Sequence, residues 1–136
     1  MLSTGLRRLV IVFLALVIVA AAYYSSTSDE DVAYGNVSVY EARSLIQGRR
    51  DLVVLDVRTA SEYGEGHIEG ALNIPVQELE GRLGELDAGS EFLVYCRSGS
   101  RSSSAVQVMR ANGFEKVYNM REGLAAWVGA GYPLVP

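Results

Sequence analysis

Cys96, the only cysteine of the chain, opens the segment Cys96-Arg97-Ser98-Gly99-Ser100-Arg101-Ser102. It follows an apolar run, Phe92-Leu93-Val94-Tyr95, that reads as a buried strand. Beyond the segment, Ala105, Val108 and Met109 fall on one helical face, and Asn112-Gly113 is a stop signal. Strand, tight loop and helix N-terminus aim several backbone N–H groups at one place, which favours an anion there. With Cys96 at the base of the loop, that anion can be its own thiolate. The thiolate is the nucleophilic form, and a free thiol with a pKa of about 8.5 is mostly protonated at neutral pH. Loop N–H groups, the helix N-terminus and the charges of Arg97 and Arg101 all favour ionisation. A cysteine after an apolar run is by itself a core residue; the Arg-Ser-Gly-Ser-Arg context marks this one as reactive.

Such a loop needs a framework. Ser38 and Glu41 form a capping box for a helix that ends at Gly48, with Val39, Ala42, Leu45 and Ile46 on its core face. Leu52-Val53-Val54-Leu55 is a continuous aliphatic run, the signature of a parallel strand buried on both faces. It leads into Asp56-Val57-Arg58, polar residues at a carboxyl end, where open α/β sheets place their sites. Thr59 and Glu62 make a second capping box, for a short helix closed by Gly64. Residues 66–75 turn into a short strand. Val76, Leu79, Leu83 and Leu86 keep helical spacing, weakened by Gly81 and Gly84. Residues 116–118 read as a strand and residues 123–127 as a last helix. Strands alternating with helices predict an α/β fold with a parallel sheet covered on both faces.

The N-terminal part is of another kind. Residues 9–24 are uninterrupted apolar sequence behind Arg7 and Arg8, predicting one hydrophobic helix over 1–24 that is a signal peptide or a membrane anchor. Residues 25–35 are a polar, acidic linker, and the folded domain occupies 36–136. The two arginines before the run, with Asp29, Glu30 and Asp31 after it, put the domain outside the cytoplasm by the positive-inside rule. Without Arg7 and Arg8 the chain holds 10 basic and 16 acidic side chains, so it has no electrostatic footprint for nucleic acid. A single cysteine permits neither an internal disulfide nor a cysteine-based metal site, and no metal is expected.

Four segments taken in order carry a resemblance. They are Asp56-Val57-Arg58, the stretch from Gly66-His67-Ile68 through Asn73-Ile74-Pro75, the loop Cys96 to Ser102, and Gly123-Leu124-Ala125-Ala126-Trp127. The chain resembles the single-domain rhodanese family, the thiosulfate-type sulfurtransferases, across its whole folded domain. One departure is that Glu122-Gly123 stands where the family has a glycine pair, a change to a turn that touches no reactive group. The resemblance implies a three-layer fold with a five-stranded parallel sheet flanked by helices. It also implies sulfur transfer through a persulfide on Cys96, with no other cofactor. The donor would be thiosulfate or a similar small molecule, and the acceptor cyanide or a thiol. Arg97, Ser98, Gly99, Ser100, Arg101 and Ser102 would bind the substrate, with Arg97 and Arg101 drawing in a dianionic donor. Asp56 and Arg58 would pair and support the loop from the neighbouring strand, and His67, the only histidine, would be structural.

Loop length sets this reading apart from the tyrosine and dual-specificity phosphatases, whose arginine stands six positions after the cysteine. Here Arg101 stands five positions on and position 102 is serine, so the loop suits a sulfur atom and leaves too little room for phosphate. The alternative from another class is a non-catalytic module of the same fold that binds a partner or senses redox state.

Overall fold

The computed structural model describes residues 3–26 and 34–136. It divides into two units, Met1–Val32 and Ala33–Pro136. The linker expected over 25–35 falls largely on residues 27–33, which lie outside the described residues together with Asp29, Glu30 and Asp31.

Among the described residues the first unit holds one helix, α1 (Thr4–Ser26), longer at both ends than the apolar run that predicts it. Its stretch Thr4–Tyr23 has 20 residues, about 30 Å at the α-helical rise, which matches a bilayer core. Leu9, Ile11, Phe13, Ile18 and Val19 are all exposed. By length and composition α1 suits a membrane span and an export signal alike.

The second unit is an α/β domain. Its strands are β1 (Asn36–Val37), β2 (Val53–Asp56), β3 (Leu72–Asn73), β4 (Phe92–Tyr95) and β5 (Val117–Met120). They form one sheet in the order β1-β5-β4-β2-β3, with every pairing parallel. The helices are α2 (Val39–Gly48), α3 (Ala60–Glu65), α4 (Val76–Arg82), α5 (Ser100–Ala111) and α6 (Gly123–Gly129), with a 3-10 turn at Leu83–Glu85. The α4 and α5 helices pack together, as do α2 and α6. Central β4 is buried along its whole length, as a strand covered on both faces must be. Its alternation sends Phe92, Val94 and Cys96 into a cluster with Leu79, Ala105 and Met109, and turns Leu93 and Tyr95 to the other face.

Both capping boxes form, Ser38 with Glu41 at α2 and Thr59 with Glu62 at α3. On α2 the buried residues are Val39, Ala42 and Leu45, while Ile46 is only half-buried. The α3 helix runs past Gly64 and is closed by Gly66, whose N–H donates to the Tyr63 carbonyl. The β5 strand starts at Val117 and continues to Met120, because Asn119 and Arg121 donate to the Gly35 and Val37 carbonyls of the β1 edge.

Candidate active site

The register of the sheet brings the polar segments together. Asp56 pairs with Tyr95 at the carboxyl ends of β2 and β4, and the Val57 N–H donates to the Tyr95 carbonyl at 3.0 Å. Asp56-Val57-Arg58 and Cys96 therefore leave the sheet side by side.

From Cys96 the chain turns sharply at Gly99, the residue before α5, with φ of +93°. A Cβ at Gly99 would overlap the Arg121 carbonyl, so only glycine fits. On the other side, Gly123 has φ of +71° and abuts the Arg97 carbonyl and the Ser98 nitrogen. The first turn of α6 then donates to the loop, Leu124 N–H to the Cys96 carbonyl at 2.9 Å and Ala125 N–H to the Arg97 carbonyl at 3.1 Å. Orphan donors of a helix N-terminus are satisfied in this way, and the cysteine loop is clamped. Glu122 has φ of −87° and needs no glycine. Its carboxylate instead accepts the Val39 N–H of α2 at 2.9 Å.

Cys96 is 1% exposed. Its sulfur accepts the Gly99 N–H at 3.1 Å, and its thiol donates to Ser102 Oγ at 3.4 Å, the serine hydroxyl donating in turn to the Gly99 carbonyl. Burial opposes ionisation of the thiol. In the thiolate form the Ser102 hydroxyl, turned toward the sulfur, and the N–H groups of Ser102, Ser98 and Gly99 donate to it and outweigh burial, so the pKa lies below that of an ordinary thiol. The cradle is thus made of Ser98, Gly99 and Ser102. Ser100 opens α5 with its side chain exposed and is not part of it.

The two arginines do not share the place expected for them. Arg101 is bound on both terminal nitrogens by Glu62 of α3, at 2.8 and 2.9 Å. This pairing, the main influence on Glu62, lowers that carboxyl to a pKa of about 2. Arg101 still lies within electrostatic reach of Cys96, but its charge is largely offset. The Arg97 side chain is exposed, and among the described residues it has no ion pair. It borders a cavity of about 310 Å³ shared with Arg58, Glu62, Glu65, Gly66, Leu124 and Leu134, which flanks the cysteine loop without being lined by Cys96 itself. In the sequence Glu62 reads only as a helix cap, three residues after Thr59.

Asp56 and Arg58 form a buried pair, with Arg58 Nη2 at 2.7 Å and Nε at 3.0 Å from the carboxylate. Arg58 also donates to the Gly66 carbonyl at 2.7 Å and stands 5.8 Å from the centre of the Tyr95 ring. The pair therefore braces the turn at Gly66, and meets the cysteine strand through Tyr95. The Tyr95 hydroxyl accepts the Ile68 N–H, and burial, followed by the Asp56 charge, pushes its pKa up, so it stays neutral. His67 stacks on Tyr63 at 3.7 Å, with Nδ1 at 2.9 Å from the Tyr63 carbonyl. Its backbone exchanges hydrogen bonds with Val135 of the tail. Among the described residues no group of three His, Cys, Asp or Glu side chains is placed to hold a metal ion.

Residues 38–130 match the family of the Rhodanese-like domain. The chain is 34% identical over 103 residues to the putative sulfur carrier protein YrkF of Bacillus subtilis, aligning 76% of this chain and 56% of that protein. It is 35% identical over 94 residues to the thiosulfate sulfurtransferase GlpE of Coxiella burnetii, aligning 69% of this chain and 87% of that one. Among solved structures, the human single-domain sulfurtransferase TSTD1 superposes with a TM-score of 0.65 at 30% identity, over 69% of this chain and 95% of that one.

Proposed function

Because the chain belongs to the rhodanese-like family, we propose that it is a sulfurtransferase that carries sulfane sulfur on Cys96 as a persulfide. The observation that carries this reading is the cradle of Ser98, Gly99 and Ser102 around the Cys96 sulfur, which favours the thiolate without any metal or base. The relatives named as sulfurtransferases support the reaction class.

In the first half-reaction the Cys96 thiolate attacks the outer sulfur of thiosulfate or a similar donor. A new S–S bond forms to Cys96, the donor's S–S bond breaks, and sulfite leaves with the electron pair. Charge is conserved, since thiolate and dianion become a persulfide anion and sulfite dianion. In the second half-reaction cyanide or a thiolate attacks the outer sulfur of the persulfide and restores the Cys96 thiolate. The loop N–H groups serve thiolate and persulfide alike. Arg97, at the cavity beside the loop, is the cation placed to meet an anionic donor, and His67, held by Tyr63 and Val135, takes no part in the chemistry.

The same reading assigns the domain to the outside of the cytoplasm, tethered by α1 or released from it, with Arg7 and Arg8 retained inside. Steady-state kinetics with thiosulfate and cyanide test the activity. Thiocyanate formation with parallel, ping-pong patterns is expected, and its absence in both the native chain and Cys96→Ser would defeat the proposal.

A further inference from the structure

We propose that Glu62 sets the charge preference of this site, restraining it from doubly charged donors by neutralising Arg101. The inference rests on the sulfur-transfer reading for its biological meaning, but the charge effect at Cys96 can be measured without it.

The groups beside the loop are electrically balanced. Arg58 and Arg97 line the cavity with Glu62 and Glu65, and behind them Asp56 holds Arg58 while Arg101 is held by Glu62. Three cations thus face three carboxylates, and among the described residues Arg97 is the one of the three cations with no carboxylate bound to it. Two arginines in the loop lead one to expect strong attraction, and Glu62 offsets the charge of one of them, Arg101.

Glu62 is not a loose surface carboxylate. Its Oε2 accepts from the Thr59 N–H and from the Thr59 hydroxyl, both at 3.0 Å, while its two oxygens take the two terminal nitrogens of Arg101. Held by four donors, with a pKa of about 2, it is charged at any pH where the protein would work. Arg101 feels the Cys96 charge, so releasing Arg101 from its partner raises the positive potential at the sulfur.

The signature of such an effect is its scaling with charge. One fixed unit charge changes the free energy of a dianion twice as much as that of a monoanion, and leaves a neutral reagent alone. A structural defect would change all three together. Glu62→Gln separates the two, because glutamine serves the capping box as glutamate does but carries no charge. Thr59→Ala is the complementary control, loosening the cap while leaving the charge.

The experiment uses the full chain in detergent. Cys96 is alkylated with anionic iodoacetate and with neutral iodoacetamide, and the ratio of the two rates cancels any change in thiolate fraction. Turnover is then compared between thiosulfate and methanethiosulfonate, a monoanionic donor. In Glu62→Gln the iodoacetate to iodoacetamide ratio should rise about threefold, as expected of one unit charge near a wet surface. The thiosulfate to methanethiosulfonate ratio of kcat/KM should rise by a similar factor. Thr59→Ala should move neither ratio. A common factor on both members of each pair would overturn the proposal. If the native chain turns over neither donor, the sulfur-transfer reading fails, and the alkylation ratio alone still decides whether Glu62 sets the field at Cys96.

Discussion

Ser102 Oγ stands 3.4 Å from Cys96 Sγ, buried with it at the first turn of α5, where the tyrosine phosphatase loop would carry its arginine. Its hydroxyl is the largest of the influences that lower the Cys96 pKa. Ser102→Ala should therefore move the midpoint of Cys96 alkylation, followed with iodoacetamide against pH, to higher pH. Sulfur loading below that midpoint should slow by about tenfold, the order of one hydrogen bond to a charged group. An unchanged midpoint would show that the backbone N–H groups suffice.

Gly99 and Gly81 should respond oppositely to alanine. At Gly99 the left-handed φ and the Arg121 carbonyl both forbid a Cβ, so Gly99→Ala should cost at least about 2–3 kcal/mol. Gly81, in α4, has open space around it and no positive φ. Gly81→Ala should stabilise by about 0.5–1 kcal/mol through helix propensity. Thermal or urea denaturation of both variants checks the pair.

Asp56→Ala removes the partner of a buried guanidinium. Arg58 would keep its bond to the Gly66 carbonyl but lose the carboxylate, at a cost of about 3–5 kcal/mol. The double variant with Arg58→Leu should recover much of that loss, measured by denaturation. Equal instability of single and double variants would contradict this role.

Glu62 also predicts a pH dependence of stability. Its pKa falls from 4.5 to about 2 on folding, so its stabilisation is present above about pH 4.5 and is lost as pH drops toward 2. Partly exposed as it is, the contribution is on the order of 1–2 kcal/mol after screening. Glu62→Gln should be less stable than the native chain at pH 7, and the difference should close as pH falls through that window.

Where structure depends on residues within one helical turn, the sequence was readable. Ser38 with Glu41 and Thr59 with Glu62 are three residues apart, and both boxes form. On α5 the expected Ala105 and Met109 are buried, but Val106 takes the place expected of Val108. The buried members of the helix are Ser102, Ala105, Val106 and Met109, in helical spacing, while Val108 is only half-buried. The first member is a serine, and a polar residue in a buried stripe hides the phase of the pattern. Gly64 reads as a stop, but the helix runs on to Glu65 and closes at Gly66, beside the tail residues Leu134 and Val135.

The site itself was legible at Cys96 and its cradle, because strand, loop and helix are contiguous. The fate of Arg101 was not. Its partner Glu62 lies 39 residues earlier, and nothing local distinguishes a capping glutamate from one that also binds an arginine across the cleft. The link from Tyr95 to Ile68 and the clamp of α6 on the cysteine loop are likewise products of the sheet order, which no spacing along the chain reveals.

The central claim is that Cys96 is a sulfur carrier, and intact mass spectrometry under non-reducing conditions tests it most directly. The full chain incubated with thiosulfate should gain the mass of one sulfur atom, and lose it on adding cyanide as an equal amount of thiocyanate appears. Cys96→Ser should gain nothing. A native chain whose Cys96 is still free to alkylate, yet which takes up no sulfur from thiosulfate or from methanethiosulfonate, would contradict the account.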